Sequence, residues 1–241
     1  VHKTVGQFLR DVVDATPDRL ALVDPASAAR PVERSWTYRQ LLAESERTAA
    51  ALLHHFERGD HVAVWAPNQV EYVILQMGAA LAGVVLVTLN PANRKEEMRY
   101  LLGQSESVGL IMNRLYRGMD NVALIDELRP ELPALKQIIY FEEWDKFIAG
   151  ARDGTPLPDI GVDDPVLILY TSGTTGKPKG VVHKHQCLVG NARASSHPYG
   201  IDEGSVWLAT LPMFHIGGSV TMTLGCIANR GTQVMLPEFK P

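Results

Sequence analysis

The segment Thr171–Gly180, TSGTTGKPKG, places glycines, hydroxyls and cations side by side immediately after an apolar run, VLILY. A phosphate group is held by closely approaching backbone N–H groups, which glycine-rich conformations present without Cβ clashes. Gly173, Gly176 and Gly180 would supply that backbone, with hydroxyls on Thr171, Ser172, Thr174 and Thr175 and charge on Lys177 and Lys179. The spacing is not that of the ordinary NTPase cradle, G-x-x-x-x-G-K-[ST], which opens a helix. Only two residues separate Gly173 from Gly176, and Pro178 follows Lys177. Proline is tolerated only in the first helical turn, and Lys179–Val182 reads as strand. A kinase or GTPase reading therefore loses its main support, while composition alone leaves open a Gly/Thr/Lys hairpin with no ligand.

His215, in PMFHIGG, is a second candidate, either a helix cap or a group beside a bound substrate. His183 and His185 catch the eye as a metal pair, but two histidines without a third ligand make a weak site, and no metal is expected there. Cys187 and Cys226 lack CxxC spacing and read as core thiols, which makes a reducing cytoplasm the simplest compartment.

Positioning these residues requires a frame of alternating elements. Phe8, Leu9, Val12 and Val13 share a helical face that ends at Pro17, and Leu20–Asp24 reads as a strand. Thr37 and Gln40 carry capping-box spacing ahead of Leu41, Leu42, Ala49, Leu52, Leu53 and Phe56. Strands are predicted at His61–Trp65, Val84–Val87, Val108–Met112, Val206–Ala209 and Gln233–Met235, with helices at KEEMRYLLGQ, Gln186–Ser196 and after His215. The apolar run Val73–Leu89 is marginal for a membrane span and carries Gln76 and Gly83, so it reads as buried helix, glycine stop and buried strand. The alternation predicts an α/β fold with a largely parallel sheet. Residues 150–165, GARDGTPLPDIGVDDP, read as a surface connection between sections 1–149 and 166–241. GDHVAVWAP and GSVWLATLP each place a proline eight residues after a glycine around a strand, and a helix, a glycine, a strand and a proline (Pro91, Pro237) follow both. Either a repeat of supersecondary structure or ordinary turn punctuation accounts for that likeness.

The 241 residues are 46% hydrophobic and 21% charged, with a net charge of −4, which suits a globular core and gives no basic surface for nucleic acid. The first residues, VHKTVGQFLRD, contain no apolar signal-peptide core.

YTSGTTGKPKGVVHKH resembles the AMP-binding signature of the adenylate-forming superfamily, which includes acyl-CoA synthetases, aryl-CoA ligases, peptide-synthetase adenylation domains and luciferases. WTYRQL, GDHVAVWAPNQVEYV, AGVVLVTLNPANRKEEMRYLL and LPMFHIGG resemble further stretches of that family, in the family's order. The resemblance implies stacked, largely parallel sheets covered by helices, as in an acyl-CoA synthetase N-terminal domain. It implies that Thr171, Ser172, Gly173, Thr174, Thr175, Gly176 and Lys177 face the β- and γ-phosphates of ATP, with Lys179 as a second cation. It places His215 near the substrate carboxylate, with Gly217 and Gly218 leaving room for a substrate chain, and it makes His185 part of the packing. The implied activity, an acid–thiol ligase of fatty acid metabolism, joins a small-molecule carboxylic acid to ATP as acyl-adenylate, with Mg²⁺ sharing the charge and CoA as acceptor. Which acid, and whether the acceptor is CoA or a carrier protein, stay open. Members of the family are usually much longer. The chain is expected to be an incomplete N-terminal domain, with the later magnesium, adenine and ribose motifs and the C-terminal domain absent. Alone it is expected to be inactive, pairing with a missing C-terminal half or as a homo-oligomer. The alternative is a non-catalytic nucleotide-binding or interaction module, or half of a split enzyme.

Overall fold

The computed structural model describes residues 2–27, 31–152, 154–171, 176–196 and 202–236. Helix α1 (Val5–Ala15) opens with a capping box between Thr4 and Gln7 and buries the predicted Phe8, Leu9, Val12 and Val13. Strand β1 (Leu20–Asp24) follows, then β2 (Arg34–Thr37) and α2 (Tyr38–His55), whose Thr37–Gln40 box is formed on both sides. Next come β3 (His61–Trp65), α3 (Val70–Ala82) and β4 (Val85–Leu89). Every residue of α3 is buried, because it lies inside the molecule and not on one face of it. Gly83 ends α3 at φ +71°, a left-handed turn that glycine adopts without strain.

Helix α4 (Lys95–Gln104), strand β5 (Gly109–Met112), the short hairpin β6 (Leu115–Tyr116) and β7 (Met119–Asp120), helix α5 (Asn121–Leu128), strand β8 (Gln137–Tyr140) and helix α6 (Trp144–Ala149) complete the first section. The second holds β9 (Pro165–Thr171), β10 (Lys179–Lys184), α7 (His185–Ser196), β11 (Val206–Ala209), a π-helix (Gly217–Leu224) running into α8 (Gly225–Ala228), and β12 (Thr232–Met235).

Among the described residues, a six-stranded sheet has the order β10-β9-β4-β3-β5-β8, and all its pairs are parallel except β10–β9. A four-stranded sheet has the order β11-β12-β1-β2, with only β2 antiparallel. Both sheets draw strands from both sides of residues 150–164, so the connection divides the chain but not the sheets. One apolar cluster joins α1, α2, α3, α7 and the π-helix to the two sheets, and a second packs α4 and α5 on the other face of the larger sheet. Parallel strands buried on both faces read as continuous apolar runs, as HVAVW, VLVTL and VLIL do.

The likeness between GDHVAVWAP and GSVWLATLP has a topological basis. β3-α3-β4 and β11-helix-β12 are each parallel strand–helix–strand units, with His61 opposite Val85 and Val206 opposite Thr232. Pro237 lies outside the described residues. The predicted helix after His215 exists but begins as a π-helix. Cys226 is buried as expected, and burial raises its thiol pKa; Cys187 instead is exposed on α7, so it is not a core thiol.

Candidate functional site

Strand β9 buries Val166–Leu169 and delivers Thr171 at its carboxyl end, where open parallel sheets place ligands. β10 returns antiparallel, with Thr171 opposite Lys179, so the glycine-rich segment is the connection of a hairpin. Ser172, Gly173, Thr174 and Thr175 lie outside the described residues. Gly176 adopts φ +98° with open space around it, and Lys177 is exposed.

The hairpin separates its two lysines. Side chains alternate along β10, so Lys179 shares a face with Val181 and His183. Lys177 instead leans toward α4, its Nζ 5.4 Å from the Tyr100 ring centroid. The Tyr100 hydroxyl donates to the Pro178 carbonyl at 3.0 Å, and the Tyr170 hydroxyl donates to Leu101 O at 3.3 Å and to Gln104 Oε1. Burial pushes the Tyr170 phenol up to about 12, which keeps it a neutral donor.

On the opposite face, a cavity of about 170 Å³ lies between Leu169 and Thr171 of β9, Val181 and His183 of β10, and the turn Phe214–Ile216. His215 therefore shares a cavity with Thr171. Burial lowers the His183 pKa, so its imidazole is neutral near pH 7. The turn carrying His215 is pinned from the larger sheet. Asn68 donates to Leu211 O at 3.0 Å and accepts from Met213 N at 2.8 Å, and Thr88 donates to Phe214 O at 2.9 Å. His215 caps the next helix through its main chain: its carbonyl accepts from Gly218 N (3.1 Å), Ser219 N (3.0 Å) and Ser219 Oγ (2.9 Å). The exposed ring takes no part in that cap.

Gly217 and Gly218, expected to leave room for a substrate chain, are approached from the Cβ side by the chain's own residues. A Cβ on Gly218 would stand 2.2 Å from Pro212 O, and one on Gly217 would stand 3.1 Å from Leu211 Cδ1. Gly218 serves close backbone approach. Ser219 and Thr223, both fully buried, help hold the π-helix in place: the Thr223 hydroxyl donates to Gly218 O at 2.9 Å, and Gln76 Nε2 donates to Ser219 O at 3.0 Å.

The supposed histidine pair is split between two elements. His185 opens α7, fully buried, and its Nδ1 accepts from the Val5 N–H at 3.2 Å, so it caps α1. A further cavity of about 320 Å³ opens at the carboxyl ends of β3, β4, β11 and β12, lined by Asn68, Asn90, Thr210 and Phe214 among others. A larger cavity, about 510 Å³, lies between Arg34, Trp36, Glu71 and Trp144 and contains none of the candidate residues. Tyr100, Asn68 and Thr88 were not visible as site residues in the sequence, and His183 drew notice only as half of a weak metal pair. Tyr100 directly follows the charged run RKEEMR, and its partners are distant in the chain.

Residues 9–241 match the model of the AMP-binding enzyme family. The chain belongs to that family. It is 31% identical to the long-chain-fatty-acid–CoA ligase FadD13 of Mycobacterium tuberculosis over 98% of this chain and 46% of that protein. Its fold is similar to the inhibitor-bound N-terminal domain of FACL13 from the same organism, with a TM-score of 0.86 and 30% identity over 99% of this chain and 58% of that one. It is also similar to ATP-bound MatB from Rhodopseudomonas palustris, with a TM-score of 0.83 and 25% identity over 100% of this chain and 46% of that one. The chain spans about half the length of the curated relatives it matches. Among the described residues of this AMP-binding family member, no helix is long and apolar enough to cross a membrane.

Proposed function

We propose that the chain is the N-terminal, phosphate-binding portion of an ATP-dependent acyl-CoA synthetase of the cytoplasm. The observation that carries this reading is the Gly/Thr/Lys hairpin at the carboxyl end of β9, one end of which shares a cavity with His215. In the reaction, a carboxylate oxygen of the acid attacks the α-phosphorus of ATP, the bond to the bridging oxygen breaks, and pyrophosphate leaves. The CoA thiol, giving up its proton, then attacks the acyl carbonyl, the acyl–phosphate C–O bond breaks, and AMP leaves as the thioester forms. Thr171, Ser172, Thr174 and Thr175, with the backbone of Gly173 and Gly176, hold the β- and γ-phosphates, and Lys177 and Lys179 supply charge where it accumulates. His215 stands beside the carboxylate, a fatty acid by analogy with the names of the relatives. Mg²⁺ carried by the nucleotide would add positive charge where Lys177 and Lys179 meet the β- and γ-phosphates.

Outward-facing Val206 and Leu208 on edge strand β11, 71% and 49% exposed, favour pairing with further chain or with a second copy. ATP–pyrophosphate exchange tests the division of labour. The 241 residues alone are expected to bind MgATP, seen as a rise in melting temperature, without acid-dependent exchange. Exchange at the rate of a full-length relative would show that these residues suffice for chemistry. Absence of any MgATP shift would remove the phosphate-binding reading.

A further inference from the structure

We propose that Tyr100 is a positioning residue for the phosphate loop: its hydroxyl anchors the outgoing arm, and its ring holds Lys177 on the α4 face until a triphosphate draws the lysine away. The proposal rests on the ATP reading above, but the observations are separate from it. Tyr100 makes two contacts to consecutive loop residues, a hydroxyl bond of 3.0 Å to Pro178 O and the Lys177 ammonium 5.4 Å from its ring centroid. Tyr100 is itself held among the apolar residues of the α4 face, beside Tyr170, whose hydroxyl bonds Leu101 O and Gln104 on the same helix. The anchor is therefore a built part of the sheet's flank.

The face matters. Thr171, His183 and His215 meet in the cavity on one side of the hairpin. Tyr100 packs against the cluster on the other side, as does Tyr170, which also borders the cavity. A triphosphate whose α-phosphorus is within reach of an acid beside His215 lies toward the first side. Lys177 over Tyr100 is turned toward the second, and to meet the phosphates its side chain must leave the ring. The two parts of Tyr100 thus act in opposite senses on nucleotide affinity. The hydroxyl keeps the loop's arm ordered, which favours binding. The ring is attractive to an ammonium ion, so it stabilises the free state and opposes binding.

The test uses the whole chain with Lys side chains observed by ¹H–¹³C correlation, the Lys177 signals assigned through Lys177→Arg. In the free protein the Lys177 Hε signals are expected upfield from the ring current of Tyr100. MgATP, or inorganic tripolyphosphate, is expected to move them to where they lie in free Tyr100→Leu. By calorimetry, Tyr100→Phe is expected to bind MgATP about five-fold more weakly than the parent, from loss of one hydrogen bond. Tyr100→Leu, which loses the ring as well, is expected to recover about two-fold or more over Tyr100→Phe. A merely structural role gives the reverse order, with Leu weaker than Phe, and that order overturns the proposal. So do Lys177 signals that coincide in the free parent and free Tyr100→Leu. Should Leu prevent folding, the lysine signals of the parent and of Tyr100→Phe decide. MgATP bound with Lys177 unmoved overturns the displacement alone, whereas no MgATP binding with Lys177 still upfield overturns the proposed function and the displacement together.

Discussion

Gly218→Ala is expected to cost about 3 kcal/mol or more, a fall in melting temperature of about 6–12 °C for a domain of this size. The added methyl would stand 2.2 Å from Pro212 O and 2.4 Å from Pro212 C, and both are backbone atoms that cannot swing aside like a side chain. Relief requires the turn 211–216 to move. That turn is held at three points by Asn68 and Thr88, so displacement breaks bonds at Leu211, Met213 and Phe214 in addition to the π-helix start. His215 travels with it, and any acid-dependent response should fall together with stability. Gly190→Ala in α7 is the control: nothing lies within 4 Å of its added methyl, and alanine in a helix should be neutral or gain up to about 1 kcal/mol. Urea titration of both variants checks the pair. A Gly218→Ala protein as stable as the parent would mean that the Pro212–Gly218 approach is looser than described.

The second large effect is acid sensitivity through His185. Burial lowers its pKa from 6.5 to about 4 in the folded protein, against a smaller upward pull from Asp164. Protonating Nδ1 would also set an N–H against the Val5 N–H that it now accepts. A depressed folded pKa means that the unfolded chain takes the proton first. Stability is thus complete above about pH 6.5 and is lost as pH falls toward 4. The loss should reach about 2 kcal/mol at pH 5 and about 3 kcal/mol below pH 4. His183 and His55 are shifted the same way, also chiefly by burial, so the measurement is a difference. His185→Asn keeps an acceptor near Val5 and has no titration. Its stability between pH 7.5 and 5 should fall by about 2 kcal/mol less than the parent's. Equal slopes in the two proteins would assign the acid loss elsewhere. Asp163 and Asp164, whose pKa values are lowered mainly by hydrogen bonds from Lys184 and the Gly161 N–H respectively, give up their stabilisation only below their ordinary carboxylate range, a separate window.

Elements with a strong local signal were legible in the sequence. The Thr37–Gln40 box and the glycine stop at Gly83 are local chemistry, and both appear where their residues predict. Residues 113–149 were not legible. They hold two-residue strands, an eight-residue helix and a half-buried strand, none long enough to show a period. The π-helix is invisible for another reason: its register depends on Ser219, Thr223 and Gln76 satisfying displaced carbonyls, and Gln76 is far away in the chain. At the site, the residue types of the hairpin suggested phosphate chemistry and the family motif singled out His215, but the cavity that His215 shares with Thr171 was not legible. Nor was the separation of Lys177 from Lys179, since it depends on Tyr100. His183 and His185 look equivalent in the sequence, yet a register shift at His183/Lys184 and the start of α7 give them unrelated surroundings.

In the function proposed, the hairpin holds the β- and γ-phosphates of ATP. Calorimetric titration of the chain with MgATP and with AMP, repeated on Lys177→Ala, decides whether it does. ATP is expected to bind at least about ten-fold more tightly than AMP, and loss of the lysine should remove most of that difference, as befits a charge-assisted contact to phosphate. Equal affinities for ATP and AMP, or an ATP affinity unchanged by Lys177→Ala, would contradict it.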